Sequence, residues 1–267
     1  MDNLKKGGKY NRYSADKPRI NRFYEFTKGG DITFQEITIP LLNKFKAYLK
    51  STREITDRTI INHLVVIRSI FSQAISGNLV DPKHYPFGKD KIKIKFPDSQ
   101  KVSLTVEEVK KLENAKLLAE SSLNHVRNLW LLSFYFAGMR ISDLLRLKWS
   151  DIDNGRLTYT MGKNAKGGSL KIPEKASIIL TFYKPKTKNK TGFVFSNLDN
   201  VRNKSDLFEV QKKISYATKT IDEALQKLTF ELGINKKLTM HIARHTFGNL
   251  SGDKIPIQML QKLYRHS

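Results

Sequence analysis

A strongly apolar stretch from Leu123 to Ala137, carried by Val126, Leu129, Trp130, Leu131 and Phe134, constrains this chain more than any other feature. A helix this apolar has to lie at the centre of a core, with other elements packed around it. Gly138 and Met139 break it, and a new helix is predicted over 140–148. Arg140 therefore directly follows the most buried element of the fold, and Asp143 sits one turn later. An arginine beside so much apolar surface needs a partner or an anion.

The flanking segments read as two domains. Residues 1–19 are polar and basic and are expected to form a flexible N-terminus. Residues 20–85 read as a small helical domain. Leu41, Leu42, Phe45, Tyr48 and Leu49 repeat at helical spacing, and Thr56 opens a longer helix with the stripe Ile60, Leu64, Ile67, Phe71 and Ala74. Arg58, His63 and Arg68 lie off that stripe and are expected to face solvent or a partner. Residues 86–103 form a basic linker, punctuated by Pro86, Gly88 and Pro97. Within it Lys89, Lys91, Lys93 and Lys95 alternate with apolar residues, as a strand with a lysine face or as an extended basic strap. The second domain, 104–267, opens on a capping box at Thr105 to Glu108. Residues 156–161 and 170–172 read as a β-hairpin whose loop, Gly162 to Gly168, carries Lys163 and Lys166. Helical patterns follow at 174–182 and 205–232. The fold class is mainly α with a small β-sheet, in two domains.

Charge and composition narrow the chemistry. Lysine and arginine number 48 against 25 acidic residues, a formal charge of +23. Such an excess on a folding chain points to a polyanionic partner, nucleic acid before an anionic membrane surface. No apolar run approaches the roughly 18 residues of a spanning helix. There is no cysteine, which excludes a disulfide scaffold, a thiolate metal site and a cysteine nucleophile. His241-Ile-Ala-Arg244 lacks a second ligand at metal-binding spacing. No glycine-rich phosphate loop ends in Lys-Ser/Thr, and no Gly-x-Ser-x-Gly elbow is present.

Three polar patches, each weak alone, occur in a telling order. They are Gly138-Met-Arg140-Ile-Ser-Asp143-Leu-Leu-Arg-Leu, then His241-Ile-Ala-Arg244-His245-Thr-Phe, then Tyr264-Arg-His266. The chain here resembles the tyrosine recombinases, or phage-type integrases. The first patch is similar to the family's first arginine box and the second to its His-x-x-Arg-His box. Lys163 falls where the family carries its catalytic lysine, with Lys166 as a close competitor, and His266 falls at the next His/Trp position. Ile39-Pro, Lys46-Ala-Tyr-Leu and Phe96-Pro-Asp-Ser-Gln-Lys101 are similar to integrases of Bacteroides-type mobile elements.

The resemblance implies a two-domain DNA clamp, with a helical SAM-like core-binding domain before a catalytic domain. It implies strand cutting and rejoining through a 3′-phosphotyrosyl intermediate, with Arg140, Lys163, His241, Arg244 and His266 as catalytic residues. Asp143 and His245 support them. Lys89, Lys91, Lys93, Lys95, Arg58, Arg68 and Lys166 are the candidate DNA contacts. The implied partners are duplex DNA and like subunits assembling on it as a tetramer, in the bacterial cytoplasm at the nucleoid. No metal and no nucleotide cofactor is implied. Two departures stand out. The family nucleophile is a tyrosine beyond the His266 position, so residues 1–267 are expected to stop short of it. Tyr264 lies on the wrong side of His266 to replace it, and Arg265 stands where the family usually has glycine. A non-catalytic DNA-binding relative, a type IB topoisomerase and an RNA-binding protein are the rival readings. The retained arginine, lysine and histidine set disfavours the first, domain order the second, and the lack of an aromatic sheet face the third.

If the partner is duplex DNA, affinity should fall steeply with salt. Each neutralised phosphate contributes a log–log slope of about −0.9, so on the order of 6–10 contacts predict a 10³–10⁵-fold loss between 50 and 200 mM salt. Fluorescence anisotropy over that range checks this; a flat response would remove the clamp reading.

Overall fold

Threonines start two of the buried helices of the first unit. The structure, a computed structural model, describes residues 1–98, 100–162, 167–184, 192–252 and 254–264. They divide into two compact units, Met1–Gln100 and Lys101–Ser267. Thr38 caps α3 (Ile39–Arg53), and Thr56 caps α4 (Asp57–Ser76), each side chain accepting a backbone N–H of the first turn. They follow α1 (Asp2–Lys6) and α2 (Tyr10–Phe26). Leu42, Phe45, Leu49, Leu64 and Phe71 are almost wholly buried, and the predicted α4 stripe is buried throughout.

Three expectations change in this unit. Residues 10–26 form a helix that packs on α3 and α4 instead of a flexible leader reaching residue 19. Phe23 and Phe26 supply the reason, because their rings pack against Phe45 at 5.0 and 5.1 Å. This covering also buries His63, which was expected to face outward; its Nδ1 lies 2.9 Å from the Thr59 carbonyl. Finally, the segment from Lys89 to Phe96 forms no strand. It turns back through one bridge, Phe87 to Ile92, and both residues enter the core. The linker assigned to 86–103 is thus part of the first unit at its start. Its alternation survives as burial: Ile92 is buried and Ile94 half-buried, while Lys89, Lys91, Lys93 and Lys95 are exposed.

The second unit is built around the apolar stretch. It forms α6 (Ser122–Tyr135), with Leu129, Trp130 and Leu132 fully enclosed. Around it pack α5 (Val106–Glu113), α8 (Glu174–Tyr183), α9 (Leu207–Glu231) and α10 (Met240–Ser251). The capping box forms, with Thr105 and Glu108 bonding reciprocally. A short helix, α7 (Ile141–Leu144), replaces the longer one predicted over 140–148. The chain tightens after Leu144 because Leu147 and Trp149 turn their backbones to pair with Val194 and Gly192. A final helix, α11, spans Ile257–Tyr264.

The sheet has three antiparallel strands in sequence order: β1 (Ile152–Asp153), β2 (Arg156–Thr160) and β3 (Gly167–Lys171). The hairpin is where the sequence places it, though β3 starts earlier than Leu170. Gly167 and Gly168 join the ladder opposite Thr160 and Tyr159. β1 carries no period-2 signal in its two residues and is not foreseen. Among the described residues no helix is long and apolar enough to cross a membrane.

Gly138 is the position on which the two arginine-bearing segments meet. It has φ +70°, and a Cβ there would lie 2.8 Å from the Arg244 Cα. Gly138→Ala combines left-handed backbone strain of about 1–2 kcal/mol with overpacking of about 1–3 kcal/mol. A loss of roughly 2–5 kcal/mol in urea denaturation is the expected result.

Candidate active site and nucleic-acid interface

Arg244 reaches the site from the middle of α10, and the helix start is fixed from a neighbouring element. Thr239 does not cap α10; Asp222 of α9 does, accepting the Met240 N–H at 2.7 Å. Burial raises the Asp222 carboxyl above its ordinary value, and the Met240 bond partly offsets this. Arg244 itself is buried, at 7% exposure. Its Nη1 donates to the Gly138 carbonyl at 2.9 Å and its Nη2 to the Tyr264 carbonyl at 3.1 Å. The break after α6 is held in shape by Ser133, whose hydroxyl donates to the Met139 carbonyl at 2.7 Å. That bond sets where Arg140 starts.

Arg140 stands at the N-terminal boundary of α7, half-buried, with Nη1 3.9 Å from the Met161 sulfur. Arg140 lies near enough for its charge to act on both His241 and Arg244. His241 keeps part of its ring open to solvent. Burial, then the charges of Arg244 and Arg140, holds it below the usual histidine value. His245 packs edge-on against it, with ring centroids 4.6 Å apart. His245 is lowered as well, by burial first and then by His241, Lys101 and Arg244. Two arginines and two histidines thus crowd one surface of the second unit, where Arg244 and Arg140 disfavour positive charge on His241, and His241 and Arg244 disfavour it on His245.

Asp143 is buried at 4% exposure, and its Oδ1 accepts the Gly162 N–H at 3.0 Å. It thereby holds the residue from which the β2–β3 loop departs. Its charge also acts on Arg146 and Arg244, favouring their protonated forms. Lys163, Lys166 and His266 lie outside the described residues. Sequence reasoning did not find the roles of Gly138, Ser133, Asp222 or Tyr264. The first carried a signal: a glycine before the arginine box, where a close backbone approach needs one.

The first unit carries the other basic candidates. Lys89, Lys93 and Lys95 are exposed. Lys91 is committed to the Tyr85 carbonyl at 2.5 Å. Arg58 lies 5.2 Å over the Phe96 ring, and Arg68 is half-exposed.

Comparison with known proteins gives the family. Residues 103–267 match the phage integrase family, and residues 1–94 match the phage integrase SAM-like domain. The chain belongs to the phage integrase family. It is 26% identical to the tyrosine recombinase XerD of Oceanobacillus iheyensis, across 99% of this chain and 86% of that one. It is 29% identical to the tyrosine recombinase XerA of Pyrococcus furiosus, but the match spans only 65% of this chain and 56% of that relative. The fold is shared with a solved structure of the XerH site-specific recombinase bound to difH substrate. The TM-score is 0.62 at 20% identity, over 99% of this chain and 77% of that one. It is shared too with a lambda integrase dimer bound to a COC' core site, at TM-score 0.64 and 17% identity, over 92% and 66%.

The depressed histidines make stability depend on pH. Unfolded, His241 and His245 protonate near 6.5. Folded, they resist protonation to lower pH. Their contribution is therefore complete above about pH 6.5 and is lost as pH falls from there towards the folded values. The urea midpoint should drop below pH 6.5, and His241→Gln with His245→Gln should flatten that drop. An equal drop in the double variant would assign the effect to other groups.

Proposed function

We propose that this protein is a site-specific DNA recombinase that cuts and rejoins duplex strands through a 3′-phosphotyrosyl intermediate. The observation that carries this reading is the meeting of Arg140, His241 and Arg244 on one surface, with like charges crowded together. Such a cluster attracts an anion. In transesterification at a phosphodiester, negative charge grows on the non-bridging oxygens. Preorganised guanidinium groups aimed there contribute most of the rate available from electrostatics, and each can bind in bidentate fashion. His241, neutral near physiological pH, is suited to exchange a proton with the attacking hydroxyl. Lys163, or Lys166 in its place, would protonate the 5′-oxygen as it leaves, and His266 would donate to the phosphate. By holding Gly162, Asp143 would set the direction in which that lysine-bearing loop leaves β2. His245 would serve as packing for His241.

The first unit would lay Lys89, Lys93, Lys95, Arg58 and Arg68 against the DNA backbone, the two units forming a clamp. Like subunits would assemble on the duplex, as a tetramer, for strand exchange. The Ile39-Pro and Lys46-Ala-Tyr-Leu wording supports an integrase of a Bacteroides-type mobile element acting at the bacterial nucleoid. The attacking tyrosine of this reading is not Tyr264, whose hydroxyl donates to the Arg244 carbonyl. Tyr264→Phe should therefore still form the covalent adduct.

The test uses a nicked suicide duplex and the full-length protein. Arg140→Ala or Arg244→Ala should lower the cleavage rate by roughly 10²–10³-fold, the cost of losing a preorganised donor. Affinity should change little, because many backbone contacts carry it. A substrate with sulfur in place of the 5′-oxygen should rescue the lysine variant that removes the acid, since a thiolate leaves without a proton. Loss of all covalent trapping in Tyr264→Phe, with its fold intact, would overturn the exclusion of Tyr264 as the nucleophile. Wild-type cleavage rates in both arginine variants would overturn the reading.

A further inference from the structure

We infer that Tyr264 is a positioning residue for Arg244, a clasp that sets the arginine's orientation from the neighbouring helix α11. This deepens the recombinase reading and rests on it. The clasp is made at three places on one arginine. The guanidinium carbon lies over the Tyr264 ring, 3.7 Å from its centroid. The Tyr264 carbonyl accepts from Nη2 at 3.1 Å, and the Tyr264 hydroxyl donates to the Arg244 backbone carbonyl. Gly138 holds Nη1 from the other side.

The surroundings are built for the ring. Gly248 stands one turn after Arg244, and a Cβ there would lie 2.7 Å from the Tyr264 hydroxyl oxygen. A glycine in a helix interior costs about 0.5–1 kcal/mol relative to alanine; here it gives the phenol its place. Phe247 sits 6.1 Å from the Tyr264 ring and 6.2 Å from Phe134, so a chain of aromatic rings ties the clasp back to α6. A guanidinium has five N–H donors in one plane. Stacking on the ring and tying one donor on each terminal nitrogen fixes that plane. An arginine oriented before substrate arrives needs no reorganisation at the moment charge develops.

The alternative role for Tyr264 is attack on the phosphate. It requires a hydroxyl that gives up its proton readily. Burial instead pushes this phenol up from its ordinary value, against the opposing charge of Arg244.

Three variants separate these roles: Tyr264→Phe keeps the stack, Tyr264→Leu removes it, and Gly248→Ala displaces the ring without touching Tyr264. Cleavage of a suicide duplex by the full-length protein is read at saturating DNA, with affinity from anisotropy. Misplacement by about 1 Å can cost 10²-fold in rate. Tyr264→Leu and Gly248→Ala should therefore cleave on the order of 10²-fold more slowly with affinity within about twofold, while Tyr264→Phe stays within about threefold of wild type. In parallel, the side-chain 1H–15N spectrum of residues 1–267 without DNA should show the Arg244 Nε–Hε signal displaced by the ring current in wild type and Tyr264→Phe. The displacement should vanish in Tyr264→Leu. Normal cleavage by Tyr264→Leu, or a displaced Arg244 signal persisting in it, would overturn the proposal. So would Tyr264→Phe losing all covalent product with the Arg244 signal unchanged, which would make Tyr264 the nucleophile. If the wild type itself does not cleave, the recombinase reading fails, and the spectrum alone then decides whether the clasp exists.

Discussion

The hydrogen bond from Arg244 to the Gly138 carbonyl joins segments 106 residues apart, and the site depends on it. It forms only because Gly138 lacks a side chain and takes a left-handed backbone, which lets α10 come against the break after α6. That break in turn follows from burying α6 on every side. The apolar stretch that dictates the core thus also dictates where both arginines emerge.

Holding several cations together without an anion is unfavourable, and the fold bears that cost. Burial and mutual repulsion keep His241 and His245 neutral, while Gly138, Tyr264 and Asp143 supply oxygen atoms or opposite charge to Arg244. Strained electrostatics of this kind are characteristic of functional sites. The chemistry and the shape are coupled: the carboxylate of Asp143 also holds Gly162, from which the lysine-bearing loop departs.

Much of this was legible in the sequence because it rests on periodicity and local chemistry. The α4 stripe, the Thr105 capping box, the β-hairpin and the long α9 all follow from spacing within one segment. The motifs of Arg140, His241 and Arg244 stand out in the sequence, and the fold brings the three side chains near one another. The features that were not legible come from contacts between distant segments. His63 reads as a solvent-facing residue until α2 covers it. The helix after Arg140 reads as longer until Leu147 and Trp149 pair with residues 192–194. Asp222 caps a helix 18 residues further on, and Tyr264 stands out only as a misplaced nucleophile until Arg244 is seen beneath its ring.

The central claim is that Arg140, His241 and Arg244 form one site built to receive a phosphate. The titration of the His241 imidazole, followed by NMR in the free protein and with a saturating duplex, tests it most directly. A phosphate among these groups replaces repulsion by attraction, so the midpoint should rise on DNA binding, from below the usual histidine value to above it. A midpoint that stays put or falls while the duplex is bound would mean that no phosphate reaches the cluster, and the account would be wrong.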